Sequence, residues 1–191
     1  MDIVDEDEAL IAAALRGSAY AWEKLVKHHE SRIYNLGLRL TGNSSDAMDL
    51  TQEVFLGVYR NLHRFRGDAK FSSWLFRIAH NKAVDLNRRK RFLTTGGSFI
   101  GDEPALDSYP DDGSNEPDCR LLQQQHNDRI RSMLSQLPFD QRLVVELKIY
   151  HSQTFEEIAQ MQDISENTAK TRFYTALRKL KTRMEETHDL S

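Results

Sequence analysis

One segment, TTGGSFIGDEPALDSYPDDGSNEPD from Thr94 to Asp118, limits what this chain can fold into. It holds three of the four prolines, four of the nine glycines and seven acidic side chains, with neither a helical nor a strand period. A stretch so polar cannot bury enough apolar surface to offset its chain entropy, so it reads as a flexible linker. The 191 residues are thereby divided into two halves, each sized for a small domain. The predicted division is 1–92, an acidic linker over 93–118, and 119–191.

Helix is the only period on either side. Before the linker, helices are predicted from about Glu6 to Leu15, from after Ser18 to about Leu40, from the Asn43–Ser45 cap to about Phe65, and from near Ser72 to about Arg91. After it come about Cys119 to Gln136, Pro138 to Tyr150, a short helix behind the capping-box pattern Thr154-Phe-Glu-Glu157, and Ser165 to about Glu186. Few glycines and prolines outside the linker argue against a β fold built on tight turns. The expected fold class is all-α: a four-helix domain and a helix-turn-helix domain joined by the linker.

The net charge of −3 conceals a segregation of charge. Residues 66–92 sum to +6, residues 93–118 to −7, and residues 165–184 to +5. Two basic blocks flanking an acidic spacer suggest two contacts with one polyanion.

The second block belongs to the helix-turn-helix. Ile158, Ala159, Ile164 and Ala169 have the spacing of its packing positions, and Ala169, Phe173, Ala176, Leu177 and Leu180 form a buried stripe. Asn167, Lys170, Thr171, Tyr174 and Arg178 then fall on the exposed side. In a major groove, lysine can donate to guanine acceptors and threonine can meet a thymine methyl. An ordinary helical hairpin with a solvated basic face is the alternative.

The first block is the helix FSSWLFRIAHNKAVDLNRRKR, Phe71 to Arg91. Phe71, Leu75, Ile78, Ala79 and Leu86 share an inner side, while Arg77, Asn81 and Arg88 line the outer one beside Ser73, His80 and Val84. Arg66, Lys70 and Phe65 precede it, and cations interleaved with aromatics suit unstacked, single-stranded bases. Phe71 and Trp74 can serve equally as core. On the third helix, Ala47, Leu50, Val54, Val58 and Phe65 face inward, leaving Asp49, Gln52, Glu53, Leu56, Arg60 and His63 outside. An apolar side chain ringed by charges fits a protein interface, and it fits a lone exposed leucine as well.

No catalytic or cofactor site is expected. There is no glycine-rich phosphate loop, nucleophile elbow or carboxylate pair that demands catalysis. Cys119 stands alone, which excludes an internal disulfide and a cysteine-rich zinc site. The neighbours His28 and His29 should point apart on a helix, so no metal site is expected. The N-terminal stretch is acidic where a signal peptide is basic, and no run reaches the length of a membrane span, so a cytoplasmic protein is expected.

Two segments resemble a known family. DAMDLTQEVFLGVYRNLHRFRGDAKFSSWLFRIAHNKAVDLNRRKR, Asp46 to Arg91, resembles the promoter-melting domain of bacterial extracytoplasmic-function sigma factors. LPFDQRLVVELKIYHSQTFEEIAQMQDISENTAKTRFYTALRKLK, Leu137 to Lys181, resembles their second domain. The resemblance implies an alternative sigma factor without catalysis of its own, bound to core RNA polymerase through its largest and second-largest subunits and to promoter DNA, with an anti-sigma factor as a further partner. Asp49, Gln52, Glu53, Leu56 and Arg60 would dock on the polymerase. Phe65, Lys70, Arg77 and Asn81, with Arg88 beside them, would take the unpaired −10 strand. Lys170, Thr171 and Tyr174, flanked by Asn167 and Arg178, would read the −35 element, with Lys148 on the backbone.

Tether length agrees with that reading. A linker of this size reaches at most about 85–90 Å extended and roughly 28 Å as a coil, against about 50 Å between elements one and a half turns apart. Gln162, where the family has an apolar turn residue, and Asp163, where glycine is frequent, predict a distorted turn or looser helix packing. Thr175, in place of a common basic residue, predicts fewer or differently aimed −35 contacts. A stand-alone helix-turn-helix regulator is the runner-up, and a helical nuclease a third class.

Overall fold

In a computed structural model of the chain, residues 3–95 and 128–188 are described, with their side chains over 6–93 and 128–185. Among them every regular element is helical, and no helix is long and apolar enough to cross a membrane. The linker from Gly96 onward, Cys119 and the predicted start of the next helix lie outside the described residues. The chain divides into two compact units, Met1–Gly37 with Asn43–Ala105, and Leu38–Gly42 with Leu106–Ser191.

The first unit contains α1 (Ile3–Leu15), α2 (Ala19–Thr41) as far as Gly37, α3 (Ser44–Asn61) and α4 (Phe71–Thr95). α1 ends where Gly17 takes φ 92°, a left-handed conformation open to a residue without Cβ. Asn43 caps α3 by accepting a hydrogen bond from the Asp46 amide at 3.1 Å. Leu25, Ile33, Leu36, Ala47, Leu50, Val54, Val58, Leu75 and Ala79 are buried, so the inner faces follow the predicted periods.

α3 stops four residues short of the predicted Phe65. The Asn61 side-chain amide donates to the Gly57 carbonyl at 2.8 Å, and its own backbone leaves the helical region at φ −112°, ψ 2°. A tighter turn over Leu62–Arg64 follows, and Phe65 is extended. At its other end α4 runs on to Thr95, so the first residues assigned to the linker are helical.

α2 and α3 meet where Gly37 faces Ala47. A Cβ on Gly37 would stand 2.9 Å from the Ala47 Cα, too close without backbone movement. Gly37→Ala is therefore expected to destabilise the protein by about 1–3 kcal/mol in urea or thermal unfolding, although alanine is intrinsically the better helix former. A stability gain would show that the crossing is looser than drawn.

The second unit contains a helix of which residues 128–135 are described, here α5, then α6 (Phe139–Val145), α7 (Phe155–Gln162) and α8 (Glu166–His188). The predicted helix to Tyr150 is continued from α6 by a wider π turn over Glu146–Tyr150. Leu134, Leu137, Val145 and Ala176 form a core, with Ile130, Phe173 and Leu180 packed on it. Ile158 and Ala169 are also fully buried.

Candidate functional site

The α7–α8 corner is held by side-chain chemistry at both ends. Thr154 caps α7: its Oγ1 accepts from the Glu157 amide at 3.1 Å, and its own amide donates to Glu157 Oε2 at 2.7 Å. α7 ends at Asp163, which takes the left-handed φ 52°, ψ 48° and so explains why glycine suits that position. The Ile164 amide then donates to the Ala159 carbonyl at 3.0 Å, and Ser165 Oγ caps α8 by accepting from the Thr168 amide. Gln162 Oε1 accepts from Arg172 Nη1 at 2.8 Å, tying the turn to α8. Gln162 thus meets α8 through its side-chain oxygen, while its Nε2 is buried without a partner, and Ala169 lies buried beneath.

On the exposed face of α8, Tyr174 is 60% exposed, and Asn167, Thr171 and Arg178 are exposed as well. Lys170 Nζ lies 2.7 Å from Glu166 Oε1. Thr171 Oγ1 donates to the Asn167 carbonyl at 2.8 Å, which engages its proton within the helix. Lys148 does not project freely: its ammonium donates to the Gln153 carbonyl at 3.1 Å and sits 4.7 Å from the Phe155 ring centre. Lys148, Lys170 and Tyr174 gather around Phe155.

In the first unit, Asp49, Gln52, Glu53 and Leu56 line a shallow groove of about 220 Å³ together with Lys82, Asp85, Leu86 and Arg89 of α4. Leu56 is 48% exposed, so the outward phase of α3 holds. Lys82 Nζ donates to Glu53 Oε2 at 2.8 Å, and that ammonium holds the Glu53 carboxyl below its ordinary pKa. Arg60 is exposed on the same helix but does not line the groove.

The aromatic residues before and within α4 pack on one another. Phe65 meets Phe71 edge-on at 5.5 Å and Trp74 at 5.4 Å. Phe71 is buried core, and Phe65 and Trp74 are half-buried. Phe65 and Lys70 line a pocket of about 210 Å³ whose other walls include Asp7, His29 and Arg32. Arg77, Asn81 and Arg88 are exposed along α4 and lie outside that pocket. Arg88 pairs with Asp85 at 3.0 Å.

Asp7 of α1 lies against both adjacent histidines of α2, 2.9 Å from His29 Nε2 and 3.6 Å from His28 Nδ1. Burial lowers the His29 pKa despite the Asp7 carboxylate, which favours a neutral ring donating from Nε2. Among the described residues no group of such side chains could hold a metal ion. His80, predicted beside the exposed stripe, is only 5% exposed. Burial lowers its pKa too, and its Nδ1 is 3.2 Å from Asn81 Oδ1.

Two family models match the chain. Sigma-70 region 2 matches residues 25–92, and sigma-70 region 4 matches residues 127–180. The chain is 31% identical over 170 residues to the ECF RNA polymerase sigma factor SigW of Bacillus subtilis, covering 86% of this chain and 90% of that protein. It belongs to the ECF sigma factors. RNA polymerase sigma-H factor of Pseudomonas aeruginosa is 28% identical over 179 residues, 90% of each chain. Among solved structures, CnrH in complex with the cytosolic domain of CnrY superposes with a TM-score of 0.62 at 25% identity, over 95% of this chain and 99% of that one. RpoE of Bartonella quintana, solved with the anti-sigma factor NepR, has a TM-score of 0.65 at 19% identity, over 85% and 96%. The chain is thus an alternative sigma factor for promoter-specific transcription, with core RNA polymerase and promoter DNA as its partners.

Sequence reasoning passed over two residues that organise this sigma factor's faces. Lys82 is 29 positions from the Glu53 it binds, and no helical period links the two. Phe155 was assigned only to a capping pattern, whose statistics concern its neighbours Thr154 and Glu157.

Proposed function

We propose that the two units divide promoter recognition between them. Residues 1–92 dock on core polymerase and take the −10 strand, 93–118 tether, and 119–191 read the −35 element. Asp49, Gln52, Glu53, Leu56 and Arg60 meet the polymerase. Phe65, Lys70, Arg77, Asn81 and Arg88 meet the −10 DNA. Asn167, Lys170, Thr171, Tyr174 and Arg178 meet the −35 duplex, with Lys148 reaching a phosphate once it leaves the Gln153 carbonyl. The observation that carries the polymerase assignment is Leu56, a half-exposed leucine flanked by Asp49, Gln52 and Glu53 on one groove.

Mechanistically, opening DNA costs a few kcal/mol per base, so capture repays that cost only for bases the protein fits. Two weak DNA contacts joined by a tether bind more tightly than either alone. Nucleotide chemistry stays with the polymerase, and the sigma factor itself catalyses nothing. It acts with that enzyme in the cytoplasm. An anti-sigma factor would inhibit it by covering these same faces, and CnrH, the relative at 25% identity, was solved with a bound protein partner. The test is reconstitution: the purified chain should co-elute with core polymerase and direct it to a defined start site. Tight sequence-specific DNA binding without polymerase, and no start-site selection with it, would favour the stand-alone regulator.

Asn81 is assigned to strand opening. With His80 beside its side-chain oxygen, its amide N–H groups remain to pair with the edge of an unstacked base. Asn81→Ala should leave closed complexes nearly intact and reduce open complexes by about 0.5–1.5 kcal/mol, with partial rescue on a pre-melted bubble template. Arg88→Ala should instead weaken both complexes and flatten the salt dependence. Equal losses from the two variants without bubble rescue would reduce Asn81 to a backbone contact.

A further inference from the structure

Phe155 is the first residue of α7, directly after the Thr154 cap, and it is half-buried. The reciprocal Thr154–Glu157 hydrogen bonds fix its backbone. One edge of the site is closed by the Phe173 ring, 5.5 Å away at 68°. Two ammonium groups from different elements come to this one ring. Lys148, from the π turn, lies 4.7 Å from its centre, and Lys170, from α8, lies 6.0 Å away. The Tyr174 ring is 6.3 Å from the same centre.

Gathering two like charges is unfavourable in itself. It is offset here by the negative face of the aromatic ring and by Glu166 beside Lys170. Lysine side chains are flexible, and each loses conformational entropy when it is held on DNA. A rigid ring that already restrains both ammonium groups reduces that loss. It also fixes where a phosphate-binding cation stands relative to a base-reading one.

We propose that Phe155 is a positioning residue for −35 recognition, holding Lys148 and Lys170 in a set relation so that backbone anchoring and base reading occur in one register. This rests on the assignment of α8 to the −35 duplex. Phe155 need not touch a base, and replacing it acts through the two lysines. An aromatic replacement preserves the effect, whereas an aliphatic one of similar bulk keeps the packing on Phe173 and loses the cation-binding face.

The experiment uses full-length protein in reconstituted holoenzyme, and a short duplex selected by the wild-type holoenzyme from a randomised pool. Phe155→Leu should bind that duplex about fivefold to tenfold more weakly. Its plot of log affinity against log salt should be shallower by about one unit, as when a phosphate contact is lost. Phe155→Tyr should stay within about twofold of wild type, because a phenol ring presents the same face. In the Lys148→Ala, Lys170→Ala double variant, adding Phe155→Leu should cost almost nothing further. An affinity loss for Phe155→Leu with an unchanged salt slope, or the same loss in the double-lysine background, overturns the proposal by assigning Phe155 a purely structural role. If the double-lysine variant binds the selected duplex as wild type does, the assignment of α8 itself fails. If that variant is weakened and Phe155→Leu is not, only the positioning role fails.

Discussion

Leu56→Asp is expected to abolish association with core RNA polymerase while leaving helicity and the melting curve of the free protein nearly unchanged. The separation follows from where Leu56 stands. Its neighbours on α3, Val54, Phe55 and Val58, are buried, whereas Leu56 is half exposed in a groove with Asp49 and Glu53. A charge there costs the free protein little, because water still reaches it. At a protein interface the same carboxylate must be desolvated at the centre of the contact, where hot-spot losses are largest. Co-elution with core polymerase and a thermal melt of the free chain check the two halves. A large stability loss would mean that Leu56 belongs to the core and that the outward face of α3 has been misassigned.

The second large effect is expected on the −35 side. Lys170→Ala and Tyr174→Ala should each weaken promoter use by about 1–3 kcal/mol per lost base contact. Substituting the matching −35 base pair should cost the wild type a similar amount and the variants much less. Both side chains lie on the outward face of α8 and pack around Phe155 rather than in the core, so neither truncation should unfold the corner. Lys170 must also exchange Glu166, 2.7 Å away, for its DNA acceptor. Its net contribution should therefore fall toward the lower end of that range. Variants that respond to −35 changes as strongly as the wild type would show that these side chains do not read bases.

Much of this was legible in one dimension because helices make it so. A 3.6-residue period places Ala47, Leu50, Val54 and Val58 on one side of α3 and Leu56 on the other, and burial follows that division. Caps are equally local: Asn43, Thr154 and Ser165 each bond a backbone amide within three residues. The family match rests on the same local patterns. The regions matched, 25–92 and 127–180, lie either side of the acidic stretch that marked the division.

Failures of the sequence reading came where a neighbour distant in sequence, or a backbone competition, decided the outcome. α3 ended early, at Asn61, whose side-chain amide bonds the Gly57 carbonyl of its own helix, a local competition that such side chains can make. His80 was placed on the wet side by period, yet it is buried and set against Asn81. No reading was made of Asp7, which lies 21 and 22 positions from the His28 and His29 it meets, because no period links α1 to α2. The sequence by itself determined an all-α chain in two parts, most of the buried faces, and the family to which the chain belongs, since periodicity, capping and motif spacing are short-range properties. Only the tertiary structure decided that Lys82 reaches Glu53, that Gln162 is anchored by Arg172, and that Lys148 and Lys170 converge on Phe155. Those pairings depend on how helices pack, and packing brings together side chains whose separation along the chain carries no signal.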